Sequence, residues 1–139
     1  MRFAMLETTA WSADLAIGHE VIDADHRRIF ETADALQAEM CEDAPEHSIV
    51  GEVLVGLIEH TGGHFAREEA FMQESGFPGS EAHKREHALL MQKVNALHRR
   101  FMDGCPDMAA EVADFIQHGL VRHIVKSDME LGRHVRKEV

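Results

Sequence analysis

The chain has 139 residues, 45% of them hydrophobic, which suits one domain with its own core. Its 25 acidic residues outnumber 14 basic ones, giving a formal net charge of -11 that argues against a nucleic-acid partner. No apolar run approaches membrane-spanning length, and "MRFAMLETTAWSADL" lacks a signal-peptide core, so a cytoplasmic location without a membrane partner is expected.

Few β-branched runs and three prolines lean the composition towards helix. Residues 1–18 read as an irregular arm ending at Gly18. A first helix is predicted from about Glu20 to Glu42, with Ile22, His26, Ile29, Ala33, Leu36 and Met40 on one face. "EDAPEHS" breaks it at Pro45. A second helix runs from about Ser48 to Glu74, striped by Val50, Leu54, Leu57, Thr61, His64, Glu68 and Phe71. "SGFPGS" ends it, and Ser80 is the expected N-cap of a third helix carrying His83, His87, Leu90, Val94, Leu97 and Phe101. After "DGCPD", Asp107 is the expected cap of a fourth helix with Val112, Ile116, Gly119 and His123 along one face. Residues from about 127 to 139 read as a separate, shorter helix. Short loops make consecutive helices antiparallel neighbours, so the predicted fold is an all-α, up-down-up-down four-helix bundle over about residues 19–125, in a single domain spanning 1–139.

The eleven histidines are the anomaly of the composition. His26 and His83/His87 lie near the starts of helices one and three, His64/Glu68 and His123 near the ends of two and four. In an up-down bundle those positions share one end. Residues four apart stack on a helix face, so His83 with His87, and His64 with Glu68, can each address one ion. Asp128, five residues past His123, is expected just beyond the helix end, where the chain can turn back. Five histidines and two carboxylates exceed one tetrahedral zinc and suit two ions sharing carboxylates. Imidazole with carboxylate fits iron among several first-row metals, and composition alone does not choose between them. Glu69 points about 100° away from Glu68 and reads as a solvated or outer carboxylate.

The stretches "AWSADLAIGHEVIDADHRRIF", "HTGGHFAREEAFM", "GFPGSEAHKREH" and "HGLVRHIVKSDMEL" together resemble the hemerythrins, specifically the bacterial hemerythrin-like domains, from Trp11 to about Leu131. A lone HxxxE would be weak; four stretches in the right order are specific. The resemblance implies a non-haem centre of two iron ions with an oxo or hydroxo bridge, binding O2 reversibly. It implies that His83, His87 and His123 hold one iron, His26 and His64 the other, with Glu68 and Asp128 bridging and one position open on the second iron. It places Phe65, Leu120 and Ile124 around the O2 pocket.

The sequence departs from the family at three positions. Gly119 stands where hemerythrins commonly have Trp, His60 where bacterial relatives often have an aromatic residue, and Asp25 where Gln is frequent. One expectation is that Gly119 and His60 give a wetter O2 pocket in which His60 donates to bound oxygen; the other is that His60 packs against the gap and bonds a backbone carbonyl. His19, His47, His98, His118 and His134 read as surface or boundary residues, and Cys41 and Cys105 as reduced thiols outside any CxxC spacing. The function expected is O2 storage, delivery or sensing without catalysis, with an electron donor or a signalling output domain as the further partner class. The readings left beside it are a di-iron oxidase or peroxidase, a redox-sensing module, and a structural zinc bundle.

Overall fold

The computed structural model describes residues 10–42 and 45–137. Asp43 and Ala44 of the predicted break, residues 1–9 of the N-terminal arm and residues 138–139 of the predicted C-terminal helix lie outside them. A 3₁₀ turn, Ala13–Leu15, precedes α1 (Glu20–Glu42), α2 (His47–Ser75) and α3 (Ser80–Met102). The fourth helix, α4, takes residues 109–137 without interruption: α-helical Ala109–Asp114, π-helical Phe115–Val121 and Ile124–Asp128, then α-helical Met129–Lys137. The described residues contain no strand, and the predicted four-helix bundle is the observed fold.

The ends of the helices follow from local chemistry. Gly18, with φ +94°, turns the arm into α1, and Asp23 accepts from the Ile17 and Gly18 N–H groups at 2.8 and 3.3 Å. Gly76 closes α2 in the left-handed conformation; its N–H reaches the Gln73 carbonyl and the Phe77 N–H reaches Met72 at 3.1 Å, so two late carbonyls are satisfied. Two expected caps are displaced. Gly79 precedes α3, and Ser80 is its first helical residue, its hydroxyl donating back to the Phe77 carbonyl at 2.8 Å. Met108, not Asp107, precedes α4; Asp107 lies at φ 56° and makes no side-chain cap.

The predicted short C-terminal helix is α-helical Met129–Lys137, and it forms the last part of α4. Met129–Lys137 continues from the π turn Ile124–Asp128 with no break between them. A π turn closes i to i+5 rather than i to i+4. In an α-helix five residues turn about 500°, leaving two side chains about 140° apart. The wider turn brings His123 and Asp128 onto one face while the chain stays helical.

Two apolar clusters divide the interior. The larger includes Ile29, Leu36, Val50, Leu54, Phe65, Val94, Val112, Ile116, Leu120 and Ile124. The smaller is Ile17, Ile22, Met72 and Leu131, with Phe71, Phe77 and Val135 packed on it. Each fully buried Ile or Leu contributes about 1.5–3 kcal/mol. Gly132 lets the arm in close: a Cβ there would stand 3.2 Å from Ile17 Cγ2. The polar residues of interest fall between these two clusters.

Candidate metal centre

Along α1, His26 lies between Ile22 and Ile29; along α2, His64 and Glu68 lie between Leu57 and Met72. Helical spacing puts them on the core face, and His83 and His87 of α3 and His123 and Asp128 of α4 meet them there. All seven predicted ligands are buried, and His26, Glu68 and Asp128 have no exposed surface.

Their donor atoms form two overlapping groups. Glu68, His83, His87, His123 and Asp128 each bring one ligand atom within 4.8 Å of the others, and so do His26, His64, Glu68 and Asp128. Glu68 and Asp128 belong to both. Glu68 Oε2 is 3.1 Å from His26 Nε2, and its Oε1 is 3.2 and 2.9 Å from His83 and His87 Nε2. Asp128 lies 3.0 Å from His26, 2.8 Å from His83 and 3.2 Å from His123. None of these Asp128 contacts has hydrogen-bonding geometry, so both oxygens are buried without a proper partner. His26 and His64 turn their Nε2 atoms to within 3.1 Å of each other, as do His83 and His123. Two ring nitrogens at that distance make at most one hydrogen bond, whereas lone pairs aimed at a shared cation satisfy them all. The donor set therefore fits a pair of ions.

Without a cation, protons must balance the carboxylates. Burial disfavours charge on His26 and His83, but Asp128 and Glu68 outweigh it and push each up to about 10. Burial raises Glu68 and Asp128 in the same way, and the surrounding imidazoles win and hold both below the usual carboxylate range. Burial lowers His64, despite the nearby Glu68.

Three of the imidazoles are gripped from behind by carboxylates. His64 Nδ1 meets Asp25 Oδ2 at 3.0 Å, His87 Nδ1 meets Glu69 Oε2 at 2.8 Å, and His123 Nδ1 meets Glu86 Oε1 at 2.8 Å. Ser127 also donates to Glu86 at 2.6 Å. Such partners fix the ring orientation and raise ligand basicity. Glu69 is thus the outer carboxylate, as one reading of the sequence had it. Glu86 was not anticipated, and neither was the role of Asp25. Each is the sequence neighbour of a ligand, and that adjacency was the available signal.

The pocket residues separate. Phe65 stacks on His87 with ring centroids 3.8 Å apart and also faces His64 and His123, while Leu120 and Ile124 are buried beside it. His60 turns away: its Nε2 donates to the Asp25 carbonyl at 3.1 Å, and it lines an outer groove with Arg28, Thr32 and Glu52. That is the backbone-carbonyl alternative. Gly119 does not leave an internal void, because a Cβ there would already meet Leu90 and Phe115 at 3.3 Å; its open side faces a surface groove shared with Lys93 and His118. Among the spare histidines, His118 meets Asp114 at 2.8 Å, His134 meets the Ser75 carbonyl at 3.0 Å, and His47 stacks on Phe101. Cys41 and Cys105 are free thiols.

A family model described as the hemerythrin HHE cation binding domain matches residues 17–135. The chain belongs to the hemerythrin family. It is 35% identical over 126 residues to a bacteriohemerythrin of Stenotrophomonas maltophilia, covering 91% of this chain and 80% of that one. A bacteriohemerythrin of Clostridium acetobutylicum is 28% identical over 125 residues, 86% of this chain and 95% of that one. A solved wild-type hemerythrin superposes with a TM-score of 0.78 at 28% identity, covering 91% of this chain and 97% of that one. In this hemerythrin no helix of the described residues is long and apolar enough to cross a membrane.

Proposed function

We infer that this hemerythrin carries two iron ions and binds O2 reversibly at one of them. The observation that carries the reading is the sharing of Glu68 and Asp128 between a five-residue and a four-residue ligand group. His83, His87 and His123 would complete the five-residue group, and His26 and His64 the four-residue group, which has fewer protein donors and so room for an exogenous ligand. When bound, the ion pair supplies the electrons and the binding position that O2 requires. The chain's own contribution is positional. Asp25, Glu69 and Glu86 hold three imidazoles in register, and Phe65, Leu120 and Ile124 keep water from the layer. Exclusion of water opposes proton-assisted loss of the oxidised oxygen, which supports binding over turnover. Storage, delivery and sensing all use this property.

The test is metal content together with an absorption spectrum, taken anaerobically reduced, then in air, then after oxygen removal. Two irons per chain and a visible band that comes and goes with oxygen support the reading. Two irons that oxidise at once with no lasting band replace it with an oxidase, peroxidase or redox sensor. Absence of iron overturns both.

A further inference from the structure

The three outer carboxylates are not equivalent. Glu69 and Glu86, behind two ligands of the five-residue group, have no Lys or Arg within ion-pair distance among the described residues. Asp25, behind His64 of the four-residue group, is clamped by Arg67: Nε meets Oδ2 at 3.0 Å and Nη2 meets Oδ1 at 2.9 Å. His26, the other imidazole of that group, has no partner at Nδ1. Two carboxylates without an ion-paired cation therefore back the five-residue group, and an ion-paired carboxylate backs the four-residue group.

The clamp is built into α2. Arg67 follows Gly63 by one turn, and a Cβ at Gly63 would come 3.2 Å from Arg67 Nη1. A glycine inside a helix is destabilising relative to alanine. Here it leaves the guanidinium a path across the helix to Asp25, whose side chain is only 11% exposed. The fork geometry is specific to arginine, since both carboxylate oxygens are engaged at once.

A negative charge hydrogen-bonded behind an imidazole makes it a stronger donor and favours the more highly charged metal. We propose that Arg67, a positioning residue acting through Asp25 and His64, offsets that effect at the four-residue group and favours the reduced state of the ion bound there, while Glu69 and Glu86 leave the other group easier to oxidise. This rests on the two-iron reading above. Asp25 fixes the His64 ring, and Arg67 sets how much of the Asp25 charge that ring transmits.

The experiment is a spectroelectrochemical titration of iron-loaded protein, with iron counted in each sample. Arg67→Met should favour the oxidised form about tenfold, about 59 mV for one electron. Arg67→Lys, which keeps the charge, should recover much of that shift. Asp25→Asn should move the potential the opposite way, and the double variant should fall between the two. Gly63→Val leaves both charged groups in place but crowds the guanidinium; it should shift in the direction of Arg67→Met and serves as the check if that variant folds poorly. Potentials that stay put, or that move the same way for Arg67→Met and Asp25→Asn with two irons bound, overturn the proposal and leave the metal reading intact. A wild-type chain that takes up fewer than two irons overturns the metal reading and the proposal with it.

Discussion

Glu68 touches His26, His83 and His87 and has no access to solvent, so its charge has to be balanced on the spot. Glu68→Gln keeps the shape and removes the charge shared by both groups. It is expected to reduce metal content from two ions per chain to one or none, measured by elemental analysis of protein reconstituted anaerobically. His60→Phe is expected to leave the autoxidation rate within about twofold of wild type, because the His60 ring is committed to the Asp25 carbonyl; a larger change would restore a role for it in the oxygen pocket. The residues of the two donor groups were readable in the sequence because four-residue spacing fixes which side chains share a face. The outer carboxylates were not, since each reaches across to another helix: Asp25 of α1 to His64 of α2, Glu69 of α2 to His87 of α3, Glu86 of α3 to His123 of α4. An acid adjoining a ligand lies about 100° further round the helix and faces the neighbouring one. Only the packing says which imidazole it meets.

At the scale of the element, α4 differs most from a plain reading. Apolar periodicity located the first three helices to within a residue or so, because their stripes keep α-helical steps throughout. Near residue 127 it marked the start of a C-terminal helix, which the structure joins to the preceding turns through a π-helical stretch. Two π-helical stretches, Phe115–Val121 and Ile124–Asp128, shift the register without interrupting the helix. The misplaced caps at Ser80 and Asp107 have a similar origin: both residue types favour caps, but the backbone turned one position away from each. Gly76 shows the opposite case, in which the turn leaves little choice. At φ 67° a Cβ is disfavoured, so Gly76→Ala should lower stability by about 1 kcal/mol in denaturant unfolding. The same variant should retain its full complement of metal, because Gly76 only closes α2 and holds none of the ligands.

Over the whole molecule, a polar layer lies between two dry ones, and its charge state couples to stability. In the metal-free chain His26 and His83 are raised to about 10 from an ordinary value of 6.5. A raised folded pKa contributes stability that is fully present below 6.5 and lost as pH rises through about 10. Glu68 and Asp128 are lowered, so their contribution is present above the ordinary carboxylate range and lost as pH falls below that range towards their lowered values. Chelated protein should therefore show a thermal midpoint that declines from about pH 6.5 to 10, while loaded protein should hold its midpoint across that window. Loading should also release protons, seen by calorimetry in buffers of different ionisation enthalpy. A flat midpoint for chelated protein would count against protons standing in for the ions.

The contact between His26 and Asp128 joins α1 to the second half of α4, and the smaller cluster joins Ile17 to Leu131 across nearly the same span of chain. Contacts of such long sequence separation form late, after the nearer helix pairs have met, because closing a long loop is costly before other contacts support it. Ions held in part by Asp128 would therefore arrive after the folding barrier has been crossed. Metal should accordingly leave the refolding rate unchanged and slow the unfolding rate, so that loaded protein persists through transient exposure to denaturant that opens the metal-free chain. The ions would then govern how long the molecule lasts, and leave how fast it forms to the helices alone.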